Sequence, residues 1–412
     1  MRSTPTPRLG RPGLLQSESG FSLPEMLVAA MIMITVVGAV FTVMNPTQGT
    51  YRTQPEVSDL QQRLRIASDS LSRDIVMAGG GMYAGGMTGA LSNYFAPVMP
   101  YKLNDPSLGV YFRLAAGAVD ASDAISFFYV PTTGAQTTIR EDMPQPSSEL
   151  KVEPQANCPP AKLEALCGFY DGMRAIIFDD TGSWDPLTIT QVQPAALHMQ
   201  HKNPLSKSYQ KGAVIAMAAT RTYYLQTDVA SNTYQLRLFD GDTSDLPVVD
   251  NVVKLEFEYY GDPQAPVVLP NKSLSDPMGP YTTYGIKPQP LGVDNANDTW
   301  GPGENCLYAV QGGQHVPRLP NLPGGGSHVR LTQGMLTDGP WCPDAAAVMR
   351  YDADLLRLRR IRIKLRVQAP PEMRGPAGAL FRRAGTNSAG QHFVPDQEIA
   401  FDITPRNLNL GR

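Results

Sequence analysis

Residues 20–44 read GFSLPEMLVAAMIMITVVGAVFTVM, and from residue 21 to residue 44 the one charged side chain is Glu25. Twenty-four residues of helix span about 36 Å, enough to cross a hydrocarbon layer of about 30 Å. Arg2, Arg8 and Arg11 precede the apolar run. The positive-inside tendency keeps them cytoplasmic and leaves everything after Met44 on the far side of the membrane. An ordinary signal peptide has a shorter apolar core of about 7–15 residues and a small-residue cleavage site behind it. Here the run continues past Ala39 to Met44. A plain anchor fits the length but leaves Glu25 unexplained, because a charge in hydrocarbon costs at least about 2.5 kcal/mol and calls for a partner.

Composition sets the frame for the rest. Of 412 residues, 42% are hydrophobic and 18% charged, as in globular proteins with a core. Gly 37 and Pro 37 are too many for an all-helical chain and point to strands joined by long loops. Net charge is −3, with +2 on the first twenty residues and −5 on the remainder. A mildly acidic body lacks the basic footprint of a nucleic-acid binder and argues against that partner.

The GFSLPE segment, Gly20, Phe21, Ser22, Leu23, Pro24 and Glu25, resembles the cleavage and N-methylation motif of type IV prepilins and type II secretion pseudopilins. The resemblance implies leader cleavage between Gly20 and Phe21 by a prepilin peptidase, methylation of the Phe21 amine, and Glu25 as the assembly carboxylate. Cleavage supplies the missing partner for Glu25, since the new amine of a neighbouring subunit neutralises it and fixes the register between helices. The leader of residues 1–20 is longer than that of many pilins.

Downstream, Val57, Leu60, Leu64, Leu71 and Ile75 recur at helical spacing, while Asp59, Arg63, Asp69 and Arg73 take other faces. This predicts an amphipathic helix over 56–78, stopped by Gly79, Gly80 and Gly81. Pro46 and Pro55, with Gly49, predict a kinked or melted junction before it. Strands are predicted at 124–130, 174–178, 187–192, 214–217, 222–226, 234–239, 252–260, 356–367 and 398–404. The expected fold is α+β: a long N-terminal helix, transmembrane over 21–44 and amphipathic over 45–80, packed on an antiparallel β-sheet domain over 81–412. Two long loop insertions are expected near 131–166 and 261–349.

The body resembles PilW-type minor pilins in SLSRDIVMAGG, SDAISFFYV, VVDNVVKLEFEYYG, the Arg-rich strand and the ending DITPRNL. That likeness implies a minor pilin whose partners are other minor and major pilins and the inner-membrane assembly platform. Its place is the inner membrane first, with the body in the periplasm, and then the filament at the cell surface. The J-type minor pseudopilin shares much of the plan, and a tip adhesin or DNA receptor is a third reading.

Cys158 with Cys167 and Cys306 with Cys342 form two sequence-local couples without Cys-x-x-Cys spacing, so disulfides are favoured over zinc in an exported chain. Four cysteines allow three connectivities, and short loops favour the local one. Arg360, Arg362, Lys364 and Arg366 alternate with apolar residues, giving a strand with one basic face. Its readings are a solvated sheet face, a surface for an acidic pilin partner, or a DNA surface, the first being preferred. Asp240, Asp242, Ser244 and Asp245 suit a turn better than a calcium loop. His198 and His201 could share a helix face, but neighbouring acids are missing from the sequence. Trp184, Trp300 and Trp341 are core or adhesive aromatics. No catalytic motif is present, and no metal or cofactor is expected.

Overall fold

The computed structural model describes residues 20–81, 90–102, 123–131, 135–155, 158, 165–228, 233–241, 244–270, 281–295, 298–324, 326–387 and 393–409. The leader up to residue 19 and Asp242 lie outside them. The chain divides into two compact units, Met1–Glu56 and Val57–Arg412.

Helix α1 runs from Leu23 to Met77. Its backbone is helical throughout, so the melted junction expected near Pro46 and Pro55 is not found. Proline's fixed φ is compatible with a helix even though each one removes a hydrogen bond. In the second unit the predicted stripe faces the core: Leu60, Leu71 and Ile75 are fully covered, Leu64 is 9% exposed, and Val57 is partly buried against them. The helix ends at Gly79, whose φ of +76° suits glycine. A Cβ at Gly79 would lie 2.9 Å from Leu408. The Asn407 side chain donates to the carbonyls of Met77 and Ala78 at 3.2 and 3.4 Å, and the Met77 carbonyl also takes the Gly80 N–H at 2.9 Å, so the last turn is covered.

Nineteen strands follow among the described residues. The first eight are β1 (Val98–Lys102), β2 (Asp123–Tyr129), β3 (Gln136–Thr138), β4 (Leu150–Lys151), β5 (Arg174–Phe178), β6 (Trp184–Gln193), β7 (His198–His201) and β8 (Val214–Met217). Next come β9 (Ala219–Asp228), β10 (Thr233–Phe239), β11 (Asp245–Asp250), β12 (Val252–Gly261), β13 (Tyr308–Gln311), β14 (Gln314–Pro317) and β15 (Val329–Leu331). The last are β16 (Trp341–Cys342), β17 (Tyr351–Asp352), β18 (Leu358–Val367) and β19 (Gln397–Ile403).

They form sheets of order β1-β2-β9-β10-β11, β15-β12-β18-β19 and β3-β8-β5-β6-β7-β4, with the hairpins β13-β14 and β16-β17. Neighbours such as β12 and β18, or β2 and β9, run antiparallel. The first two sheets share one core with the stripe of α1, including Leu64, Phe127, Tyr223, Leu255 and Ile363. The six-stranded sheet has its own core around Ile139, Leu150, Ile177, Met199 and Ile215.

The stretch expected as a loop near 131–166 therefore contributes β3 and β4 to a sheet. The stretch near 261–349 holds β13 to β16. Its ordering is polar as well as apolar. Arg357, fully buried, donates to the Asp354 carboxylate and to the carbonyls of Asp262, Gln264 and Pro320, pinning three parts of the chain.

Candidate functional site

The N-terminal segment starts with one half of a capping box, the Glu25 carboxylate reaching back to the Ser22 N–H. Ser22 precedes the first helical residue, and Glu25 is the third residue of the helix. The Ser22 N–H donates to Glu25 Oε2 at 2.8 Å, and the Ser22 hydroxyl donates to the same oxygen at 2.7 Å. The Ser22 carbonyl accepts the first helical bond, from Met26 N–H at 3.1 Å. Pro24 fits because the first turn needs no N–H donor there. Glu25 thus has a local role: its carboxylate accepts the N–H of Ser22, the residue that opens the helix.

Leu23–Met44 is long and apolar enough to cross a membrane. Its apolar side chains are exposed in this chain, Leu23 at 77% and Met33 at 69%. Its hydroxyls are satisfied within the helix: Thr35 Oγ1 donates to Ile32 O at 2.8 Å, and Thr42 Oγ1 to Ala39 O at 2.7 Å. A lipid-facing helix requires that, since hydrocarbon offers no acceptors. Gly20 is exposed, with no atom within 4 Å of where a Cβ would stand.

The cysteines pair locally, Cys158 with Cys167 and Cys306 with Cys342. The basic strand is β18, and its alternation holds: Ile361, Ile363 and Leu365 are buried between half-exposed cations. The cations are engaged. The register sets Lys364 opposite Glu256 and Arg362 opposite Asp402. Arg362 makes a two-pronged pair with Asp402 at 2.9 and 3.0 Å. Lys364 reaches Glu258 at 2.9 Å, Arg366 reaches Asp396 at 2.7 Å, and Arg360 lies over the Tyr260 ring at 4.3 Å. The Lys364 ammonium beside Glu258 holds its carboxyl below the usual range, and Arg362 does the same to Asp402. This pairing supports the reading as a sheet face.

His198 and His201 lie on strand β7, not on a helix. Odd spacing on a strand sends them to opposite faces. His198 contacts Glu149 at 3.0 Å, an acid invisible to local sequence, and His201 contacts the carbonyls of Asn203 and Ser148. Asp240 closes a turn by accepting the Ser244 N–H, and Asp245 pairs with Arg237 at 2.9 Å.

Sequence reasoning missed a carboxylate triad of Asp338, Asp352 and Asp354, whose oxygens lie within 4.8 Å of one another. Asp352 accepts the N–H groups of Gly339 and Asp354, and Asp354 accepts from Arg357. Burial pushes the Asp352 carboxyl up to about 7. Nothing in the order of residues signals this group, because β16-β17 pairing brings it together. No known protein family, curated protein or solved structure matches the chain.

Proposed function

We propose that the chain is a minor subunit of a type IV pilus, entering the filament and helping to start or support its assembly. The observation that carries this reading is Glu25, the one charge in an exposed apolar helix, standing at its start next to the exposed Gly20–Phe21 junction. An apolar surface of this length needs lipid first and neighbouring helices later. Glu25, held by Ser22 in the single chain, is the group that a neighbour's Phe21 amine would take over on assembly. On this reading a prepilin peptidase removes residues 1–20, other minor and major pilins are the partners, and the inner-membrane assembly platform receives the subunit. The body sits in the periplasm before it joins the filament at the cell surface.

The test is Glu25→Ala in a producing cell, with leader removal followed by mass and incorporation followed in sheared filaments. Processing is expected to persist while incorporation is lost. Wild-type incorporation of that variant would overturn the charge-pairing account. Deletion that abolishes export of folded proteins and spares pili would instead assign the subunit to a secretion pseudopilus.

A further inference from the structure

We propose that strand β19 receives an extended segment of a partner protein along its free edge, a segment in which basic residues alternate with apolar ones. β19 forms one side of the sheet β15-β12-β18-β19 and pairs only with β18, from Gln397 opposite Val367 to Ile403 opposite Ile361. In an antiparallel pair every second residue turns its N–H and C=O away from its neighbour. Among the described residues no hydrogen bond other than those to β18 reaches the β19 backbone. Its outward groups therefore stand as a template for one more strand.

The other outer strands of the three sheets are guarded, each by its own device. β1 carries Pro100 and β11 carries Pro247, and neither proline has an N–H to offer. The pairing of β11 with β10 is also interrupted by a register shift at Leu236. β15 has only three residues. β3 and β4 close on each other: Ile139 is bridged to Val152, the Arg140 N–H donates to Lys151 O at 2.8 Å, and the Glu153 N–H donates to Thr138 O at 2.9 Å. β19 has seven residues, no proline, no lysine and no register shift.

The side chains of β19 define what the added strand must carry. Ile399 and Phe401 pack against the core but are only partly buried, so apolar residues beside them would complete their cover. On the opposite face charge runs in rows: Glu256 and Glu258 on β12, Lys364 and Arg366 on β18, Glu398 and Asp402 on β19. The next row in that order is basic. Glu398 is open to it, since its side chain is 42% exposed and its nearest cations, Arg366 and Lys254, stand at 3.8 and 3.9 Å, beyond hydrogen-bond reach.

A second copy of the chain does not fit that description. β19 paired antiparallel with its own copy and centred on Ala400 sets Glu398 against Asp402 twice, and like charges directly opposite are unfavourable. The strand of a second copy that has the right alternation, β18, is already held between β12 and β19. The partner is therefore a different chain. This inference does not depend on the filament reading.

The test uses the full chain in detergent and a synthetic peptide with the sequence of Leu358–Val367, LRRIRIKLRV, which carries the required alternation. The peptide is expected to bind saturably and to slow amide hydrogen exchange within residues 397–403. Two further peptides, N-methylated on alternate residues in one phase or the other, separate strand pairing from charge attraction. One phase is expected to abolish binding and the other to preserve it, because an added strand bonds through every second N–H. Glu398→Lys is expected to weaken binding about fivefold, and Glu398→Gln, which decides the matter if Glu398→Lys fails to fold, about twofold. The proposal is overturned by any of these results: no saturable binding at millimolar peptide, equal binding of a scrambled peptide of the same composition, equal effects of the two N-methylated forms, protection confined to residues outside 397–403, or unchanged affinity in a folded variant.

Discussion

The Tyr223 hydroxyl donates to the Asp74 carboxylate at 2.6 Å, joining the last turns of α1 to strand β9. Asp74 is 9% exposed, and Ser70 Oγ lies 2.8 Å from the same hydroxyl. The apolar stripe of α1 buries the helix, but a stripe alone tolerates sliding. This polar contact fixes the helix along its axis, because a shift of one turn would leave a buried carboxylate without its donor.

Tyr223→Phe is therefore expected to lower the stability of the second unit by about 1–3 kcal/mol. Chemical denaturation of the two chains measures the difference. A loss too small to resolve would mean that the contact is incidental to packing.

Ser22→Ala separates capping from assembly at the N-terminus. The substitution removes the hydroxyl donor to Glu25 but keeps the backbone N–H, so a loss of about 1 kcal/mol in local helix stability is expected. Filament incorporation should remain near wild type, in contrast to Glu25→Ala. Equal failure of both variants would make the cap, rather than the charge, the requirement.

The two disulfides close loops of different length, with sequence separations of 9 and 36. On chain-entropy grounds, removing Cys306–Cys342 costs roughly 3–4 kcal/mol and removing Cys158–Cys167 about 1 kcal/mol less. Paired Cys→Ser variants compared by urea unfolding give the ranking. A reversed order would place the larger effect in the native state rather than in the unfolded chain.

On the paired sheet face, Lys364→Ala should cost more than Arg362→Ala. Glu258, which Lys364 shares with Arg330 and the Tyr260 hydroxyl, is 9% exposed, whereas the Arg362 side chain is 41% exposed. A loss of about 1–2 kcal/mol is expected for Lys364→Ala and a smaller one for Arg362→Ala. If the face bound DNA, both variants would also weaken salt-sensitive retention of duplex DNA, and no such change is expected.

Stability should peak at mildly acidic pH. Burial raises Asp352 to about 7 and raises Asp354, so the folded chain keeps protons that the unfolded chain releases above about 4. Stability then declines as pH rises from about 4 to about 7 and levels off beyond. Glu258 and Asp402 act in the opposite sense: lowered by Lys364 and Arg362, they stabilise above their unfolded pKa, and that contribution is lost as pH falls through the lowered values. Tm followed from pH 3 to 9 gives the curve, and Asp352→Asn should flatten its neutral limb. A Tm that climbs steadily from pH 5 to 8 would exclude this balance.

Long strands with their own periodicity were legible in the sequence. The predicted strands at 174–178 and 214–217 match β5 and β8 to the residue, and 252–260 matches β12 within one. Gly79 marked the helix end, and the local cysteine pairing follows loop length. What escaped has no local signal. Strands β3, β4, β16 and β17 are two or three residues long and exist only through their partners. β1 and β11 contain Pro100 and Pro247, which weaken a strand reading. His198 and His201 were read at helical spacing, and the pairing of β7 with β6 and β4 makes the segment a strand instead.

The Asn407 contact with Met77 and Ala78 also bears on timing. A ribosome adds 329 residues after Ala78 before the side chain that reaches its carbonyl is made. Until then the end of α1 lacks its lid, and β18 lacks β19 beside it. The end of the helix is therefore covered only after the strand that completes the neighbouring sheet has been made.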